Sequence, residues 1–284
     1  MVLRNWSVRI GGAALLLLVV VAIAAPWLGT VDPTLFDAAS RDLRPGEVGS
    51  IITLDGETLA HRFLMGSDSY GRDIYSRVLY GTRVSLAVGL AAALAALAFG
   101  IACGLVAGYL RRADGPLMRV MDGIMAIPAI LIAIAVVALW RASLATVIVA
   151  IAIPEIPRVT RLVRSLVLTL REEPYVEAAV ALGTPAVRIM FGHILPNTLA
   201  PLLVQASFDL GGAITAVAGL SFIGFGAQPP TPEWGVMISE GRNYMATQWW
   251  LATFPALAIL LVVGGLNLLG DGLRDLLDPR LRGE

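Results

Sequence analysis

The chain is 284 residues long, 57% hydrophobic and only 15% charged, with a mean hydropathy of +0.78. Soluble domains run at about 45–50% apolar and about 25% charged, so a water-soluble fold of this size would lack the polar surface to cover itself. With 21 basic residues against 21 acidic ones there is no basic field of the kind a nucleic-acid partner requires.

A hydrocarbon core about 30 Å thick takes about 20 apolar residues as helix. In chain order, uncharged runs of that size occupy residues 10–28, 84–110 and 123–140. A fourth span begins at 142–154 and continues through Glu155 and Arg158, whose spacing of three lets them pair on one helix face. The fifth is placed at 199–220 and contains Asp209, with 221–232 following as a re-entrant or surface segment; the sixth falls within 243–270. The expected fold class is therefore all-α: a polytopic membrane protein with about six transmembrane helices. Arg4 and Arg9 ahead of an apolar core, with Ala22 and Ala24 behind it, also fit a cleavable leader. An uncharged run reaching from 10 to 28 is long for one.

Every basic residue is Arg, and arginines orient the set because short loops rich in them stay cytoplasmic. With the N-terminus inside, the cytoplasmic segments hold Arg4, Arg9, Arg111, Arg112, Arg119, Arg158, Arg161, Arg164, Arg171, Arg188, Arg274, Arg280 and Arg282. The short external loops hold Arg141 and Arg242. Both termini are expected inside.

Two polar stretches interrupt the spans. Residues 29–83 form a long external segment in which Asp68 precedes Arg72 by four and Asp73 precedes Arg77 by four, a spacing that stacks opposite charges on a short helix face. Ser67 or Asp68 is positioned to cap it, and Tyr70, Tyr75 and Tyr80 suit the membrane interface. On physics alone this is a solvated elbow. Residues 158–197 form an amphipathic internal segment where Pro174 breaks one helix, Gly183 interrupts the next and Pro185 opens another. Helix, turn, helix is the expectation, serving either as packing or as a docking surface.

Several chemistries are absent. A chain without Lys cannot carry the lysine-containing phosphate loop of an ATPase. His61 and His193 lack zinc-site spacing, Cys103 stands alone in an apolar run, and neither Ser221 nor Ser239 has a histidine in a triad context. An intramembrane enzyme is the remote alternative. Asp209 is the one acid well inside a span, which makes it a candidate for an aqueous pathway or equally a bridged structural acid.

The internal segment carries Glu177, Ala178 and Ala179, then Gly183 after three residues, then Leu195 and Pro196. This resembles the Glu-Ala-Ala loop of inner-membrane permeases in binding-protein-dependent ABC importers, except that His193 stands where that pattern has Ile and Ile194 follows. GSDSYGRD at 66–73, LSFIGFG at 220–226, QPPTPEWG at 228–235 and NLLGDGLRDLLDPR at 267–280 resemble the C-type permeases of the dipeptide, oligopeptide and nickel branch. The resemblance implies a type I ABC importer permease architecture in a bacterial inner membrane. It divides the chain into an N-terminal span with its external segment (1–82), a transport permease domain (83–280) and a cytoplasmic tail (281–284). It also implies a B-type permease partner, two cytoplasmic ATPase subunits that bind ATP and Mg, an external solute-binding protein, and no cofactor in this chain. Glu177, Ala178, Ala179, Gly183, Leu195 and Pro196 then belong to the element that couples to an ATPase. Peptide is the expected cargo, and nickel or another chelated metal the alternative.

Overall fold

The computed structural model describes residues 6–141 and 143–277. Arg4, Ala142, Arg280, Arg282 and the tail expected at 281–284 lie outside the described residues. The chain forms α1 (Trp6–Ala24), a hairpin of β1 (Val48–Ile52) and β2 (Thr58–Arg62), α2 (Ile74–Tyr109), α3 (Arg111–Met125), α4 (Ala129–Trp140) and α5 (Leu144–Leu170). After these come α6 (Pro174–Ala181), α7 (Ala186–Ile189), α8 (Leu195–Phe222), α9 (Trp234–Gly241) and α10 (Trp250–Leu277).

Among the described residues four stretches are long and apolar enough to cross a membrane: Trp6–Trp27, Ile74–Tyr109, Ala186–Phe222 and Trp250–Leu276. A fifth arises if α3 and α4 count as one span, but they meet at 89°. Pro128 explains the break: it lacks the N–H that would continue α3, and it stands as the residue before α4 with φ −53° and ψ 131°. The span expected at 123–140 is thus only half transmembrane in character. The 12 residues of α4 reach about 18 Å, well short of a hydrocarbon core. The fourth expected span, α5, has length enough at 27 residues but carries Glu155, Arg158 and Arg161.

α2 and α5 lie against each other along an interface of small residues. Gly100, Gly104 and Gly108 recur every fourth position on α2, and a Cβ on each would come within 2.5–2.6 Å of the Cβ of Val159, Val163 and Val167 respectively. Without a hydrophobic force between helices in lipid, such close backbone approach is what holds them together. Substituting Gly104→Leu is expected to push α5 off α2, cost about 1–3 kcal/mol and lower the melting temperature of the detergent-solubilised protein. Gly12→Ala, where nothing lies within 4 Å, should leave that temperature unchanged. At the other flank α1 packs on α10, with Gly11 against the backbone of Gly265 and Leu269. α1 is thereby part of the bundle.

The segment at 29–83 departs most from expectation. Its hairpin pairs Val48 with Arg62 through to Ile52 with Thr58, adding two strands to an otherwise helical chain. Asp55 and Gly56 at its tip are a hairpin signal, and Gly56 adopts φ 82°. Asp37 ties the hairpin down by accepting from the Ser50 hydroxyl and the Ala39 N–H, at 2.9 Å for the latter. These bonds, the Ser50 hydroxyl first, hold the Asp37 carboxyl below the usual carboxylate range. The tie therefore contributes above the ordinary Asp pKa and is lost as pH falls through the lowered value.

The elbow at 66–77 is buried, not solvated: Ser67 and Arg77 are 0% exposed, Asp73 1% and Asp68 4%. Asp68 does pair with Arg72 (Nε to Oδ2, 2.5 Å), but on a turn that Gly71 enters with φ 83°. Asp73 does not pair with Arg77. It caps α2, its Oδ2 accepting from the Ser76 N–H at 2.9 Å, so the cap falls later than Ser67 or Asp68. Arg77 instead reaches across the fold to Glu240 (3.2 Å), which also takes Arg72 (2.8 Å). Glu233 caps α9 through the N–H groups of Gly235 and Val236, and the buried Trp234 donates to the Val78 carbonyl at 3.1 Å. The segment at 221–232 is therefore the lead-in to a short buried helix.

Candidate functional site

The internal segment folds as helix, turn, helix. Pro174 occupies the first turn of α6, where its missing N–H costs nothing, and Glu177 lies in the same turn with its negative charge at the positive end of the helix. α6 ends in a Schellman turn: the Thr184 N–H donates to the Ala179 carbonyl (3.1 Å) and the Gly183 N–H to the Val180 carbonyl (2.9 Å). Gly183 holds φ 75°, the left-handed conformation such a turn needs. A Cβ at Gly183 would meet nothing within 4 Å, so the requirement is dihedral and not steric.

Beyond the turn, α7 passes through a π turn at Met190–Ile194 into α8 as one continuous stretch. Widening to i→i−5 bonds makes room for Pro196, which carries no N–H and would crowd the preceding turn. Ile194 is 0% exposed and fills the core, while His193 is half-buried with its carbonyl accepting from Asn197 at 2.6 Å. The departure at position 193 is absorbed by its neighbour.

The residues singled out from the sequence do not share one surface. Glu177, Ala178 and Gly183 are exposed; Ala179 turns inward beside Val176, into a cluster with Val163, Val167 and Ile189. Leu195 is half-buried and Pro196 exposed at the start of α8. Ala179 therefore anchors α6 and is closed to a partner. In its place the structure presents Val180 (53% exposed), Leu182 (86%) and Val187 (64%), apolar side chains around the Gly183 turn that motif matching passed over. Their signal was present as apolar residues at positions a solvated loop would leave polar. A cavity of about 440 Å³ adjoins this face, lined by Arg111, Arg171, Glu172, Val176 and Glu177 among others. α3 is held nearby by a bidentate pair, Arg164 to Asp114 at 2.5 and 2.7 Å.

Asp209 lies elsewhere, in the interior of α8. Its Oδ1 accepts from Gln205 (2.6 Å) and stands 4.0 Å from Arg158 of α5, which is 3.3 Å from Glu155. The pairing expected for Glu155 and Arg158 is present and includes a third group.

A family model for the binding-protein-dependent transport system inner membrane component matches residues 84–283. The chain is 44% identical over 282 residues to a putative peptide transport system permease protein of Brucella abortus, covering 99% of this chain and 90% of that one. It is 42% identical over 275 residues to the di/tripeptide transport system permease protein of Pseudomonas aeruginosa, covering 96% and 88%. Against the probable D,D-dipeptide transport system permease protein of Escherichia coli the identity is 43% over 271 residues, covering 95% and 86%. Apolar helices, a helix–turn–helix at 174–189 and a match over most of the sequence agree, and the chain belongs to the family of binding-protein-dependent transport system inner membrane components.

Proposed function

We propose that the chain is the C-type permease of a peptide-importing ABC system, forming half of the translocation path. The observation that carries this is its near full-length identity to three permeases of peptide systems. As a permease of its family it is a multi-pass inner-membrane protein and not an enzyme, and ATP hydrolysis lies on separate subunits. In this reading a B-type permease supplies the other half of the path, two cytoplasmic ATPases bind ATP and Mg, and an external binding protein delivers the cargo. Glu177, Ala178 and the Gly183 turn, with Leu182 and Val187, press into an ATPase cleft. Leu195 and Pro196 lead the movement into α8, so that closing the ATPases rocks the spans between two openings. Uptake of labelled dipeptide by cells lacking this gene tests the substrate: dipeptide uptake should be lost and nickel uptake retained. The reverse would favour a metal-chelate importer.

Orientation follows the arginines, with both termini inside. In a Cys103→Ser background, single cysteines replacing Leu54 at the hairpin tip and Thr247 should react with an impermeant maleimide from outside. One replacing Leu182 should react only after permeabilisation. Labelling of Leu182→Cys in intact cells would invert the topology. Leu54 suits this test because it is 86% exposed, whereas the Ser50 hydroxyl is engaged with Asp37.

A further inference from the structure

The cluster of Glu155, Arg158, Gln205 and Asp209 lies level with the middle of the apolar run of α2. Residues 84–110 of α2 are its apolar run, centred near position 97, and Val159 packs at the level of Gly100. Arg158, expected among the cytoplasmic arginines, is instead in the interior of α5 and within about 5 Å of that centre at 1.5 Å per residue. Ile214 packs at the level of Gly89, which brings Asp209, five residues earlier on α8, to a similar distance on the other side.

Two observations exclude a purely structural bridge facing lipid. Arg158 is 63% exposed, and an arginine at the bilayer centre costs about 2.5–3.5 kcal/mol if lipid covers it. Its face must meet water or the second permease. Pro154 and Pro157 inside α5 also leave carbonyls of the preceding turn without helical donors, and these take a donor from a neighbouring helix or from water, which lipid does not supply. Within the cluster, negative charges outnumber positive ones. Two carboxylates share one guanidinium, and the Oδ2 of Asp209, whose side chain is 3% exposed, has no hydrogen-bond partner. Arg158 sits 4.0 Å from Asp209, too far for a tight bond, and most of its side chain is open.

We propose that Asp209, Glu155 and Arg158 form an anionic station on the translocation path, with the open Arg158 side chain covering the buried Asp209 carboxylate and facing water, where a cargo ammonium group displaces Arg158 as counter-charge to Asp209. This rests on the peptide-permease reading, since every unblocked peptide carries such an ammonium. An ammonium supplies the N–H donors that Oδ2 lacks, and the released Arg158 remains beside Glu155.

The test uses the whole complex with its binding protein in vesicles. Gly212 lies seven residues after Gln205 on the same face of α8, is exposed, and has nothing within 4 Å of an added Cβ. In a Cys103→Ser background, Gly212→Cys is treated with methanethiosulfonates bearing either trimethylammonium or sulfonate, in the apo and the ATP-vanadate states. The cationic reagent should be favoured by roughly tenfold over its ratio on free cysteine, the size of a nearby net negative charge in water-like surroundings. Adding Asp209→Asn should bring the ratio to within about twofold of free cysteine, and Asp209→Glu should restore it. Glu155→Gln removes one of the same two charges and carries the same prediction should Asp209→Asn fail to assemble. Dipeptide uptake at matched abundance should fall about tenfold in the Asn or Gln variant and recover in Asp209→Glu.

Failure of both reagents in both states would overturn water exposure, and an unchanged ratio on neutralisation would overturn the anionic station. Normal uptake by the neutral variant would overturn the role toward cargo. The Cys103→Ser parent importing no dipeptide would instead strike the importer reading, and this proposal with it.

Discussion

Replacing Glu177 with Arg is expected to lower uptake at least tenfold, the equivalent of about 1.4 kcal/mol or more of lost coupling, while the protein reaches the membrane in normal amount. Glu177 is exposed on α6 and shares the rim of a cavity with Arg111 and Arg171. The substitution leaves three neighbouring cations on the rim against Glu172 alone, without touching the core beneath it. Gly183→Val should act through the backbone instead. Its side chain has space, but φ 75° costs a β-branched residue about 1–2 kcal/mol and opens the Schellman turn. Gly183→Asn tolerates that conformation and should retain most of the uptake. The measurements are vesicle uptake at matched abundance and co-purification of the ATPases. Wild-type transport in both Glu177→Arg and Gly183→Val would leave the segment as an inert surface loop, since surface changes alter stability by no more than about 0.5 kcal/mol.

The largest effect on stability is expected at Glu240. Its carboxylate takes both Arg72 and Arg77, which are 5% and 0% exposed, so Glu240→Leu leaves two buried guanidiniums with Asp68 alone between them. Removing one partner of a buried pair typically costs about 3–5 kcal/mol, enough to deplete the folded protein. The Arg77→Met, Glu240→Leu double variant removes the charge together with its partner and should recover much of that loss. Thermal unfolding in detergent checks both. A Glu240→Leu protein as stable as the parent would show that water, and not Glu240, solvates these arginines.

The membrane class of the protein followed from its sequence alone because lipid imposes a one-dimensional rule: about 20 consecutive uncharged residues make a helix with every backbone bond satisfied internally. The turn at Gly183 was equally legible, since helix breakers at 174, 183 and 185 act through local dihedrals. Three-dimensional questions were not. That Asp73 caps α2 while Arg77 crosses to Glu240 depends on α9, 163 residues away in sequence, and no i,i+4 rule registers so distant a competitor. The inward turn of Ala179 follows from the packing of α6 into the cluster of Val163, Val167 and Ile189, which its Glu-Ala-Ala motif does not encode. Asp209 could be read as an acid within a span, but its meeting with Arg158 required α5 and α8 to be set side by side at one depth. Helix existence is a property of local composition; which charges meet at the membrane centre is decided by packing, where glycine at 100, 104 and 108 sets how closely the backbones approach.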